Sequence, residues 1–135
     1  MICALVIDDY PAMQRSIRRA LAEMFGRGSV ICTVGSAPEA IAVLGAIKFD
    51  LVVSDYNLGD SCGAQVLEYL RAEQPDQVER FVFFAGSAEA RAIHDKIIDK
   101  DDALHLSDKI AALMDGIPIP RNGKIRKDSA MSERD

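Results

Sequence analysis

Short unbroken apolar runs alternate along this chain with segments of helical periodicity, and that alternation restricts the fold more than any other feature. Residues 2–7 form one such run, too short for a helix of average length and rich in β-branched side chains, so it reads as a strand buried on both faces. Similar runs follow at 30–34, 51–53, 81–84 and, more weakly, 103–106. Strands that are apolar throughout, rather than at every second residue, need cover on both faces, as in a parallel sheet.

The intervening segments supply that cover. Met13, Ile17, Ala20, Leu21 and Met24 follow the spacing of one helical face, and Pro11 fits the first turn of a helix without losing a hydrogen bond. Ser36 with Glu39 predicts a capping box, ahead of Ile41, Leu44 and Ile47 on one side of a second helix. Further helices are expected over 63–71, stopped by Pro75, over 87–98 through Ile93, Ile97 and Ile98, and over 108–114. Five strands alternating with five helices predict an α/β domain built on a parallel sheet, with its site at the carboxyl ends of the strands where strand order reverses.

With 135 residues the chain has room for one such domain, expected over 1–117 and followed by a basic tail over 118–135. The tail carries five basic and three acidic residues, leaving eleven basic against eighteen acidic on the body. An acidic body without a basic stripe repels a phosphate backbone, so no nucleic-acid partner is expected, and a metal cation suits it better. No apolar run is long enough to span a bilayer and no basic region precedes the first strand, which predicts a cytoplasmic protein without membrane contact. Three cysteines without a CxxC pair argue against a disulfide framework or a structural zinc site. His94 and His105 stand apart in the pattern and nominate no metal or catalytic pair.

Chemistry is concentrated at strand ends. The first strand runs into Asp8 and Asp9, and the third into Asp55, followed by Asn57. Each has an ordinary reading alone: an acidic residue ahead of a helix, or a turn former in SDYNLGD. Together, charges that directly follow buried parallel strands meet at one rim, where like charges oppose each other's ionisation and a divalent cation relieves them. An oxygen-only set that leaves positions for water and phosphate favours magnesium over zinc. A carboxylate beside such a metal can act as a nucleophile toward a phosphoryl group.

From ALVIDDYPAMQRSIRRAL through DLVVSDYNLGDSCGAQVLEYLR to FVFFAGSA, the chain resembles the receiver domain of bacterial two-component response regulators, the CheY-like fold. The resemblance implies a five-stranded parallel sheet of order 2-1-3-4-5 flanked by five helices. It further implies a magnesium site at Asp8 and Asp9, a phosphoacceptor at Asp55, a backbone carbonyl from Asn57 to the metal, and Gly63 opening the third helix. The partners it implies are a sensor histidine kinase or phosphotransfer protein carrying a phosphohistidine, and a downstream protein at the face of the fourth helix, fifth strand and fifth helix. Such a domain is a phosphoprotein of a phosphorelay and not a turnover enzyme.

Departures from the family pattern fall at the switch positions. The hydroxyl expected at the end of the fourth strand is replaced by Ala85, and Ser87 reads better as a helix N-cap. The lysine expected to end the fifth strand is replaced by Leu106 or Ser107, with Lys109 two or three residues late, and the aromatic position falls on Ala103 or Leu104. These losses raise an alternative, a degenerate receiver that binds its partner without phosphate. A third reading is a receiver that is part of a longer regulator or hybrid kinase. GxxxxGKS, GxGxxG and GxSxG motifs are all absent, which argues against nucleotide hydrolysis, dinucleotide binding and an α/β-hydrolase.

Overall fold

A computed structural model describes residues 2–100 and 106–117. The chain runs β1 (Cys3–Ile7), α1 (Pro11–Phe25), β2 (Val30–Val34), α2 (Ala37–Ala46) and β3 (Leu51–Ser54). A small hairpin of β4 (Asn57–Leu58) and β5 (Ser61–Cys62) leads into α3 (Gly63–Glu73), a 3-10 turn (Pro75–Arg80) and β6 (Phe81–Phe84). α4 (Ala88–Ile93), β7 (Ile97–Ile98) and α5 (Leu106–Leu113) complete the described elements. Among the described residues, five strands form one sheet in the order β2-β1-β3-β6-β7, with every neighbouring pair parallel. With the hairpin set aside this is the order 2-1-3-4-5 expected above.

The unbroken apolar runs are explained by cover on both faces. Ala4 and Val6 of β1 pack with Ile17, Leu21 and Phe25 of α1 and with Leu106 and Ile110 of α5. Leu5 and Ile7 point the other way, into a cluster with Leu44 of α2 and with Val66, Leu67 and Leu70 of α3. β6 divides likewise, Val82 and Phe84 to the first cluster, Phe81 and Phe83 to the second. Each fully buried side chain of this size contributes about 1.5–3 kcal/mol.

Local signals mostly place the elements. α1 starts at Pro11, and α2 is capped by Ser36, whose Oγ accepts from the Glu39 amide at 3.3 Å. The Glu39 carboxylate reaches back one residue further than a strict capping box, to the Gly35 amide at 2.9 Å. Ile47 is the C-cap of α2 and lies exposed rather than on its buried side.

The largest difference lies between residues 87 and 106. The helix expected over 87–98 ends at Ile93, because His94 turns extended and docks its ring against Phe81 and Phe83. Ile97 and Ile98 form the fifth strand of the sheet, beside Phe83 and Phe84. The strand expected over 103–106 is corrected accordingly: Leu106 opens α5, two residues before the expected start at Asp108, and residues 103–105 lie outside the described ones, as does the expected tail over 118–135.

Candidate functional site

β1 and β3 are adjacent and in register, Ile7 beside Ser54, so the residues that follow them emerge at one rim. Asp8, Asp9 and Asp55 each bring a carboxylate oxygen within 4.8 Å of the others, a grouping able to hold a metal ion. The acidic pair does not cap α1. Tyr10 is the N-cap, and Asp8 instead accepts the Tyr10 amide on Oδ1 at 2.9 Å.

The three carboxylates are not equivalent. Asp8 is buried, and its Oδ2 has no hydrogen-bond partner. Burial pushes its carboxyl above the usual carboxylate range, against the pull of the Tyr10 amide, and the Asp55 charge adds to the rise. Asp8 thus brings a buried carboxylate oxygen without a hydrogen-bond partner to a group of three carboxylates, a donor set that a divalent cation would satisfy, so the residues fit a magnesium ion. Asp9 is exposed. Asp55 is buried, accepting the Tyr56 amide on Oδ1 at 2.7 Å and the Lys100 ammonium on Oδ2 at 2.6 Å.

Lys100 was not legible as a site residue. It follows Ile97–Ile98 as Asp8 and Asp55 follow their strands, but a two-residue strand inside an i, i+4 apolar pattern reads as helix. Once that segment is a strand, a cation stands at the end of the fifth strand after all. The expectation that Leu106 or Ser107 occupies this place, with Lys109 two or three residues late, is corrected, since all three lie on α5.

Asn57 sits in the hairpin, its Oδ1 accepting the Gly59 amide at 3.2 Å, and Gly59 takes a left-handed φ of 76° that favours glycine. Gly63 is required by space. A Cβ there would lie 2.3 Å from the Asp55 carbonyl oxygen and 2.8 Å from the Phe83 ring. Ala85 is buried, its amide donating to the Ile98 carbonyl at 3.0 Å, and it offers no hydroxyl. Ser87 caps α4, its Oγ accepting the Ala90 amide at 3.1 Å.

The chain matches the response regulator receiver domain family over residues 4–112. It is 37% identical over 71 residues to the alginate biosynthesis transcriptional regulatory protein AlgB of Pseudomonas aeruginosa, a match that covers 53% of this chain and 15% of that protein. The chain therefore spans only a small part of that relative's length. Its fold is similar to a CheY-like response regulator receiver domain from Methylobacillus flagellatus, with a TM-score of 0.67 at 24% identity, covering 84% of this chain and 98% of that one. It is also similar to the response regulator protein TrrA of Thermotoga maritima in complex with Mg(2+)-BeF, with a TM-score of 0.66 at 21% identity, covering 84% and 99%.

Proposed function

This chain belongs to the response regulator receiver domain family, and on that premise we propose that it accepts a phosphoryl group on Asp55 from a phosphohistidine of a sensor kinase or phosphotransfer protein. The observation that carries the reading is the meeting of Asp8, Asp9 and Asp55 beside Lys100. Asp8, Asp9, Asp55 and the backbone carbonyl of Asn57 would hold magnesium, as the similar Thermotoga structure binds Mg(2+)-BeF. Bound there, the ion neutralises charge on the transferring group.

One Asp55 carboxylate oxygen attacks phosphorus, the phosphorus–nitrogen bond to the donor imidazole breaks, and the imidazole leaves with that electron pair. Lys100, already against Asp55, balances the charge that builds on the phosphoryl oxygens. The chain itself turns over no substrate. Its output is protein binding in the cytoplasm, at the face of α4, β7 and α5, with no nucleic acid or membrane involved.

Lys100 removes one of the three losses that favour a phosphate-independent module. The missing hydroxyl at Ala85 stays, and the aromatic position, three residues before the lysine, falls on Ile97, so the switch is reduced rather than absent. Incubation with magnesium and a small acyl phosphate tests the reading: the intact mass should rise by one phosphoryl group, and Asp55→Asn should abolish the rise. A parent chain that stays unmodified under donor excess would sink it.

A further inference from the structure

Of the three clustered carboxylates, Asp9 is the exposed one, and among the described residues no hydrogen bond holds its side chain. Its place in the cluster therefore depends on its backbone. The Asp8 carbonyl and the Asp9 amide share one rigid peptide plane, so whatever fixes that carbonyl fixes where the Asp9 Cα starts.

Two contacts hold this stretch. The Asp8 amide donates to the Val34 carbonyl at 3.0 Å, continuing the β1–β2 ladder one residue past the end of β1. The Asp8 carbonyl accepts from Gln14 Nε2 at 2.6 Å, and the same nitrogen lies 3.3 Å from the Val34 carbonyl. A primary amide has two N–H donors on one nitrogen, one for each carbonyl. Gln14 can deliver them because it stands in the first turn of α1, where its own amide is bonded to the Tyr10 carbonyl at 3.0 Å. The side chain thus ties the ends of β1 and β2 together immediately behind the acidic pair.

We propose that Gln14 is a positioning residue for cation binding, holding the Asp8–Asp9 peptide so that the exposed Asp9 carboxylate stays turned toward Asp8 and Asp55. The proposal rests on the reading of that cluster as the magnesium and phosphoryl site. Partners one step behind a metal's ligands commonly carry a 10–100-fold share of affinity. Gln14 makes such a contact through the backbone.

The test uses the whole chain and two variants. Gln14→Met keeps length and removes the donors; Gln14→His at about pH 8 restores a neutral N–H donor. Magnesium titration followed at the Asp9 amide should give a dissociation constant about 10-fold higher in the Met variant. In the His variant it should return to within about threefold of the parent. In labelling with a small acyl phosphate, the magnesium concentration for half-maximal rate should rise about as much in Gln14→Met, while the rate at saturating magnesium changes less than about twofold. A helix staple without a positioning role would lower the thermal midpoint and leave the magnesium constant alone. Parent-like affinity in Gln14→Met, or equal loss in both variants, overturns the positioning role while the site stands. A parent that binds no magnesium overturns the site reading, and this proposal with it.

Discussion

At the scale of single residues, the chain sacrifices stability at its functional rim, and Asp8 shows it most directly. A buried carboxylate oxygen without a partner, beside two more carboxylates, is costly to ionise, so folding favours the protonated acid. Because the folded pKa lies above the unfolded one, this contribution to stability is present at low pH and is lost as pH rises through the folded value. At neutral pH without divalent cations, Asp8→Asn should therefore stabilise the fold by on the order of 1 kcal/mol, raising the thermal midpoint by a few degrees. Magnesium should reverse the ranking. For a dissociation constant on the order of 1 mM, 10 mM magnesium stabilises the parent by about 1.4 kcal/mol, and the Asn variant should gain almost none of it. Thermal melts with and without magnesium check both signs, and a variant less stable than the parent in chelator would refute the account of Asp8.

At the scale of elements, the rim is built by close approach. Gly63 brings the first turn of α3 against β3, and in Gly63→Ala the obstructing atom is the Asp55 carbonyl, which is backbone and cannot rotate away. Urea unfolding should show a loss of about 3 kcal/mol, accompanied by loss of phosphoacceptance, since the displaced residue is the proposed acceptor. The α4–β7 segment is instead held by a ring: His94 Nε2 donates to the Phe81 carbonyl at 2.6 Å, and burial pulls the imidazole below its ordinary pKa. Folding thus favours neutral His94, and its contribution, full above about pH 6.5, is lost as pH falls toward the folded value. The drop in unfolding free energy between pH 7.5 and 5.5 should be smaller in His94→Gln; an unchanged drop would exclude His94 as its source. These elements also mark the limit of what the sequence makes legible. β1, β2, β3 and β6 follow from unbroken apolar runs, plainest where burial on both faces is complete as in β3 and β6, and the acidic rim follows from the carboxylates that end the first and third runs. The fifth strand does not, since Ile93, Ile97 and Ile98 satisfy a helical period while His94 ends the helix through a tertiary contact that no local pattern encodes. Lys100 was lost with the strand that carries it.

At the scale of the whole molecule, the question is how far a phosphoryl group on Asp55 is felt. A ligand shifts an equilibrium only by its difference in affinity for two states. In the unmodified chain Lys100 is already bonded to Asp55 Oδ2, so phosphorylation exchanges one anionic partner for another on the same strand, with a more negative charge of about −1.5 to −2 by analogy with other phosphorylated side chains. The fourth strand contributes nothing from its side chain, because Ala85 has no hydroxyl to follow the phosphoryl oxygen and Ser87 is occupied as the cap of α4. β7, in contrast, pairs with β6 over only two residue pairs and carries Lys100 just beyond them, so a change at Lys100 acts on a short strand. Amide chemical-shift changes on phosphorylation should therefore concentrate around Asp9, Asp55, Ala85 and β7 in the parent, reaching α4 and α5 only weakly. Ala85→Ser, preferred to Thr because the site is buried and overpacking costs about 1–3 kcal/mol, should extend them across residues 88–93 and 106–113. Lys100→Met should shrink the β7 response in both backgrounds without preventing magnesium binding. Large shifts in α4 and α5 of the phosphorylated parent would show that the fold transmits the signal without a hydroxyl at position 85, and that Lys100 alone suffices to couple the acceptor to the rest of the molecule.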